Sequence, residues 1–188
     1  MDLDLDLALG GSRLRTLRSG DAPLLVEATG QERARSLWGA RPIGPYDLTS
    51  AQAALAEWES AAGGQVSYGV VQDGRLLAAI GLMPDPPAIP GGPPTGAELA
   101  YWVRPESRRQ GIALRAVRAL TRWAHEEAGL RRLWLEIAPE NAASQRLAAR
   151  AGYRYETRLP RHCRSWIHQD PALDLRHDCL IWGHGEAG

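Results

Sequence analysis

With 188 residues, 44% of them apolar, the chain has the size and composition of one compact globular domain. Its 22 basic residues are balanced by 22 acidic ones, which leaves no bulk basic field for nucleic acid. All of the basic ones are arginine, so a Schiff-base mechanism, which needs a lysine amine, is excluded. No run reaches the roughly 18 apolar residues of a membrane helix, and Met1-Asp2-Leu3-Asp4 lacks the basic patch and apolar core of a secretory signal, so a cytoplasmic address without membrane contact is expected.

Residues 1–11 alternate Asp and Leu before Gly10-Gly11. Alternation is a strand signal but aspartate is a poor strand former, so a flexible N-terminal tail or a loosely attached edge strand is expected, with one domain over 12–188. Ser12–Arg18 reads as a half-exposed strand. Asp21 then stands as a helix N-cap with Pro23 in the first turn, ahead of Leu24, Leu25, Val26 and Ala28. A second helix is expected over Gln31–Trp38, and a third over Ser50–Ala61 with Leu55 and Trp58 on one face. Gln65–Gln72 and Arg75–Met83 flank Asp73-Gly74, a strong hairpin signal.

Pro84–Gly96 is a Pro- and Gly-rich loop, and Ala97–Val103 a strand. Ile112–Ala128 is amphipathic: Ala113, Ala116, Val117, Leu120, Trp123 and Ala124 share one side, and Gly129 ends the helix. Arg132–Ala138 is a strand, Asn141–Ala151 a helix closed by Gly152, and Tyr153–Leu159 a strand. A less regular segment leads to a last strand at His177–Trp182. The order predicts a mixed sheet with helices on both faces, in the α/β (α+β) class.

The chemically informative stretch runs from the Ala97–Val103 strand through Arg104-Pro105-Glu106-Ser107-Arg108-Arg109-Gln110-Gly111 into the Ile112 helix. Unpaired N–H groups and the positive dipole end of a helix start suit a diphosphate. Gly111 lets the backbone approach the ligand, Ala113 keeps the approach clear, and Arg108 and Arg109 add charge-assisted hydrogen bonds. The plainer reading is a surface turn with an accidental arginine pair.

Cys163 and Cys179 make neither a disulfide framework nor a zinc ligand set, and the expectation is a buried or half-buried thiol in a strand and no metal. Most of the seven tryptophans are expected in the core; Trp102, and Trp38 with the Gly39–Tyr46 loop, are also candidates to line an acceptor pocket.

Arg108-x-x-Gly111-x-Ala113, between a strand and a helix, resembles the acetyl-CoA signature of the GNAT superfamily. The likeness covers roughly Ser12 to Trp182 and includes Glu136–Ser144 and the Gly152-Tyr153 pair. It is similar in particular to the ribosomal-protein N-terminal (alanine) acetyltransferase branch. It implies a mostly antiparallel sheet in which the strands Ala97–Val103 and Arg132–Ala138 part, with pantetheine in the gap. It assigns acetyl-CoA to Trp102, Val103, Arg108, Arg109, Gln110, Gly111, Ile112, Ala113, Asn141 and Ser144. Asn141 is equally a plain N-cap.

The implied activity is acetyl transfer to a primary amine, either a protein N-terminus or a small molecule, by direct attack in a ternary complex. A homodimer is one open assembly. Glu98 is the candidate base, with an edge carboxylate as the plainer reading and Glu136 as competitor. Many relatives carry an acidic tyrosine where this chain has Ala148, and Ser144 is the nearest substitute. The alternative is a GNAT-fold protein that binds acyl-CoA without catalysis, as a sensor or scaffold.

Overall fold

In the computed structural model, which describes residues 3–30, 44–59, 65–86, 94–165 and 168–186, the Asp–Leu alternation at the start forms a strand. This β1 (Asp6–Leu9) pairs antiparallel with β2 (Ser12–Thr16). Of the two expected readings, tail or edge strand, Asp6–Leu9 take the edge strand, and the reason is a division of labour along the alternation. Leu5 and Leu9 are buried, the Leu5 N–H donates to Thr16 Oγ1 at 2.9 Å, and Asp6 meets Arg13 at 2.8 Å. The paired arginine offsets the poor strand propensity of aspartate.

After β2 come α1 (Ala22–Thr29), α2 (Leu48–Glu59), and the hairpin of β3 (Val66–Gln72) and β4 (Arg75–Pro84). The helix expected over Gln31–Trp38 lies outside the described residues. Asp21 precedes α1 as expected, but its carboxylate makes no cap bond; it accepts from both Arg15 Nη atoms, at 2.8 and 2.6 Å. Next are β5 (Gly96–Val103), α3 (Ile112–Glu126), β6 (Arg132–Ile137), α4 (Ala142–Ala151), β7 (Arg154–Arg164) and β8 (Arg176–Gly185). β7 outruns the expected strand because the irregular stretch after Leu159 is a register shift within it, between Leu159 and Cys163.

All eight strands lie in one sheet, ordered β1-β2-β3-β4-β5-β6-β8-β7. Every pairing is antiparallel except β5 with β6. This is the mixed, mostly antiparallel sheet with helices on both faces that the resemblance implies.

On one face the apolar side of α3 (Ala116, Val117, Leu120, Ala124) packs with Ile80, Leu82, Leu99, Leu133 and Leu135. On the other, Leu25 of α1 and Leu55 and Trp58 of α2 pack with Leu17, Leu76 and Ala79. Gly69 keeps that second layer close: a Cβ there would stand 2.6 Å from Leu17 Cδ2 and 2.7 Å from Leu76 Cδ1.

Two features position the site. The parallel ladder joins Gly96, Ala97 and Glu98 to Arg132, Leu133 and Trp134 and then ends, so β5 and β6 part beyond Glu98. At the far end of β5 the buried Arg104 is pinned: its N–H donates to Leu77 O at 3.0 Å, its Nη2 to Glu27 Oε1 at 2.6 Å, and its Nε to Glu106.

This makes Arg104 the more structural of the two arginines at this end of β5, beside the exposed Arg108. Arg104→Ala is expected to lower unfolding stability in urea by about 1.5–3 kcal/mol, the scale of hydrogen bonds to charged groups. Exposed Arg108→Ala should stay within about 0.5 kcal/mol of the parent.

Candidate active site

β5 hands over to α3 through a tight turn. Pro105–Ser107 make a 3-10 turn, in which Ser107 N donates to Arg104 O at 2.9 Å and Arg108 N to Pro105 O at 3.2 Å. The backbone then takes positive φ at Arg109 (61°) and Gly111 (73°). Gly111 is the N-cap of α3, a left-handed position that disfavours any side chain. A Cβ there would also stand 3.3 Å from Arg115 Nη1. The first bond one turn into the helix is Arg115 N to Gly111 O, at 3.0 Å. The N–H groups of the first turn therefore have no carbonyl one turn back to donate to. Long side chains hold the loop: Arg108 Nε donates to Val103 O at 2.9 Å, Gln110 Nε2 to Glu106 O at 3.0 Å, and Arg115 Nη1 to Gln110 O at 3.1 Å.

The turn forms one wall of an open cleft of about 740 Å³ between β5, α3 and α4. Of the residues singled out in the sequence, Trp102, Val103, Arg108, Arg109, Gly111, Ile112, Ala113, Asn141 and Ser144 line it. Gln110 does not, its amide being turned back onto Glu106. Asn141 is an N-cap as well as a lining residue: its side chain accepts from Ser144 N at 3.1 Å.

Sequence reasoning missed Tyr101 and the α4 residues Arg146, Leu147 and Arg150. The last three follow from Ala143 and Ser144 at helical spacing, so the face of α4 was readable once its role as a wall was known. Tyr101 carried no signal beyond its place in a strand. Its hydroxyl donates to Ser144 Oγ at 2.9 Å, and burial raises its pKa.

Glu98 does not line the cleft; it lies on the same face of β5 as Ala100 and Trp102. It pairs with Met83 and Trp134, at the point where β5 and β6 begin to part. Burial, reinforced by the charges of Glu136 and Asp85, pushes its carboxyl up to about 8. Glu136, on β6, has Oε1 3.2 Å from His162 Nε2 and Oε2 3.1 Å from Cys163 Sγ.

Cys163 and Cys179 are disulfide-bonded, with Cα atoms 5.8 Å apart, which corrects the expectation of separate thiols. The register shift in β7 is the cause, because it swings Cys163 beside a residue whose ladder partner is Leu159. The ligand atoms of Cys163, His177 and Cys179 lie within 4.8 Å of one another, but the two sulfurs are committed to each other. Trp102 lines the cleft and packs against the α1–α2 layer; Trp38 lies outside the described residues. Among the described residues no helix is long and apolar enough to cross a membrane.

The family defined as the acetyltransferase (GNAT) domain matches residues 12–154. Solved structures share the fold over nearly the whole chain. The ribosomal-protein-S5-alanine acetyltransferase from Vibrio fischeri is 15% identical, with a TM-score of 0.79 over 97% of each chain. RimJ of Mycobacterium smegmatis, in complex with CoA-disulfide, is 19% identical, with a TM-score of 0.77 over 98% of this chain and 87% of that one. A putative ribosomal-protein-serine acetyltransferase from Vibrio cholerae is 19% identical, with a TM-score of 0.73 over 99% and 100%. No curated protein sequence is significantly similar.

The raised pKa of Glu98 has a direct check. Its carboxyl carbon should titrate near pH 8 by NMR, and Glu136→Gln, which removes a like charge, should move the midpoint down. A midpoint near the ordinary 4.3 in the parent would mean that the carboxylate is solvated.

Proposed function

The chain belongs to the GNAT acetyltransferase family and is an N-acetyltransferase; we propose that it moves an acetyl group from acetyl-CoA to a primary amine by direct attack in a ternary complex. The carrying observation is the gap between β5 and β6, which opens onto a cleft running to the start of α3.

In this reading the diphosphate sits on the loop from Arg108 to Ala113, held by the free N–H groups of the first α3 turn and by Arg108 and Arg109. Gln110 contributes main chain, since its side chain is bound to Glu106. Pantetheine lies along the unpaired edge of β5 near Trp102 and Val103 and passes Asn141 and Ser144. The thioester reaches the gap, and the amine enters from the Glu98 face. Residues 12–188 act as one domain, and no step uses a metal.

Glu98, with its pKa near 8, is mostly protonated at neutral pH and becomes a competent base as pH rises. An α-amine, with a pKa near 8, loses its proton over the same range. The electron pair of the broken C–S bond stays on sulfur, where Ser144 is placed to stabilise it. The acceptor is a protein N-terminus or a small-molecule amine. Two of the structural relatives are described as ribosomal-protein acetyltransferases, acting on alanine and on serine, which makes N-terminal peptides the first acceptors to try.

A second reading, a non-catalytic acyl-CoA binder, draws on Ala148, which is wholly buried and offers no acid. CoA-thiol release across a panel of amines separates the two: no acetylated product from any amine would leave the binder.

Two variant sets test the site. Changing both Arg108 and Arg109 to Ala should weaken CoA binding by calorimetry at least tenfold, since each charge-assisted bond contributes roughly 1.5–3 kcal/mol. Gly111→Val should do the same through backbone strain, and unchanged affinity in the double arginine variant would refute the phosphate site. Glu98→Gln should cut kcat about 100-fold while CoA affinity holds. The parent's kcat/KM should rise with pH through about 8, and the variant should keep only the limb that belongs to the amine. Near-full turnover by Glu98→Gln at pH 7 would transfer the role to Glu136.

A further inference from the structure

Ser144 has a partner that no reading of α4 supplies. Tyr101 stands on β5 three residues past the last ladder pair with β6, on the segment that has left its parallel neighbour. Its hydroxyl crosses to α4 and donates to Ser144 Oγ at 2.9 Å, and both residues line the cleft. The serine is fixed from a second side, because its N–H donates to Asn141 Oδ1 at 3.1 Å.

A serine hydroxyl has one proton to give and two lone pairs. Here a lone pair is taken by Tyr101. A serine inside a helix often spends its proton on the carbonyl one turn back. Among the described residues the Ser144 hydroxyl makes no such bond, its only hydrogen bond being the one it accepts. Its proton is therefore free for whatever lies in the cleft.

We propose that Tyr101 is a positioning residue for the acetyl transfer, fixing and polarising the Ser144 hydroxyl so that its proton points at the sulfur leaving the acetyl group. This rests on the acetyl-CoA reading above. As the C–S bond breaks, its electron pair stays on sulfur as thiolate. The amine proton goes to Glu98 or its water, and the thiolate later takes a proton from solvent. Ser144 donates a hydrogen bond to the growing charge and keeps its own proton. Tyr101 strengthens that bond because a hydroxyl that accepts a hydrogen bond donates a stronger one. Burial keeps Tyr101 protonated at every working pH, so it stays a donor to Ser144 throughout. A donor aimed at developing charge acts on the transition state more than on the bound substrate.

The test is a double-mutant cycle on the full chain. Tyr101→Phe should lower kcat on the order of fivefold and leave KM for acetyl-CoA and the melting temperature nearly unchanged. Ser144→Ala should lower kcat tenfold or more. Added to Ser144→Ala, Tyr101→Phe should cost nothing further, whereas in a Ser144→Thr background, which keeps a hydroxyl, it should cost again. A Tyr101→Phe enzyme within twofold of parental kcat overturns the proposal. So does a loss that multiplies in full with Ser144→Ala, or one that appears in CoA affinity instead, since each is what plain packing would give. Should Tyr101→Phe fail to fold, Ser144→Ala with parental kcat overturns it alone. A parent that acetylates no amine refutes the acetyl-transfer reading itself, whereas an active parent with an indifferent Tyr101 refutes only this proposal.

Discussion

The three-pair parallel ladder between β5 and β6 is the constraint on which the site depends. The strands are close at its beginning: a Cβ on Gly96 would stand 3.1 Å from Arg132 O and 3.2 Å from the Trp134 ring. They then separate, because the far end of β5 is pulled toward β4 and α1 by Arg104 and its bonds to Leu77, Glu27 and Glu106. From Leu99 onward one edge of β5 has no strand beside it. Buried peptide groups are costly when unpaired, so such an edge calls for a partner. An extended, amide-bearing arm is a chemically apt one. The N-termini of α3 and α4, at Gly111 and Asn141, both open on the same cleft and add their dipoles to it.

Charge is sorted around this gap although the chain as a whole is neutral. The cleft is lined by Arg108, Arg109, Arg146 and Arg150, while Glu98, which lies outside it, feels the charges of Glu136 and Asp85. In the proposed reading the polyanionic tail of acetyl-CoA would meet the arginines and a cationic amine the carboxylates. Burial of Glu98, reinforced by the charges of Glu136 and Asp85, also keeps that group from being a permanent anion. As the proposed base, it would become charged as the pH rises through about 8.

The sequence made the proposed phosphate loop legible because its signal is local: a strand, a turn, a glycine and a helix within about 20 residues. The hairpin at Asp73-Gly74 and the helix from Ile112 were readable for the same reason. What was hidden depends on register or on partners far along the chain. β1 forms because Arg13, seven residues on, offsets Asp6. Cys163 reaches Cys179 only through a shift in the β7 ladder, which no spacing rule encodes. Tyr101 and Ser144 are 43 residues apart, and only the parting of the strands brings the hydroxyls together. Glu98 was found as a carboxylate, but its pKa comes from depth and from Glu136 on another strand, neither of which a single sequence states.

The match between base and acceptor narrows the proposed reaction further. A carboxyl near 8 and an α-amine near 8 exchange a proton at almost no free-energy cost, whereas a lysine-type amine near 10.4 must give it up against about 2.4 pKa units, roughly 3 kcal/mol. That cost falls on every turnover at neutral pH, because the cationic amine is not a nucleophile until the proton has gone. An ordinary glutamate near 4.3 would face a gap of about four units even with the α-amine. Burial of Glu98, reinforced by the charges of Glu136 and Asp85, is what closes that gap. The difference of about 2.4 units between the two amines is the same for any base, so in the proposed reaction the burial of Glu98 lowers both gaps equally and leaves the α-amine with the smaller one.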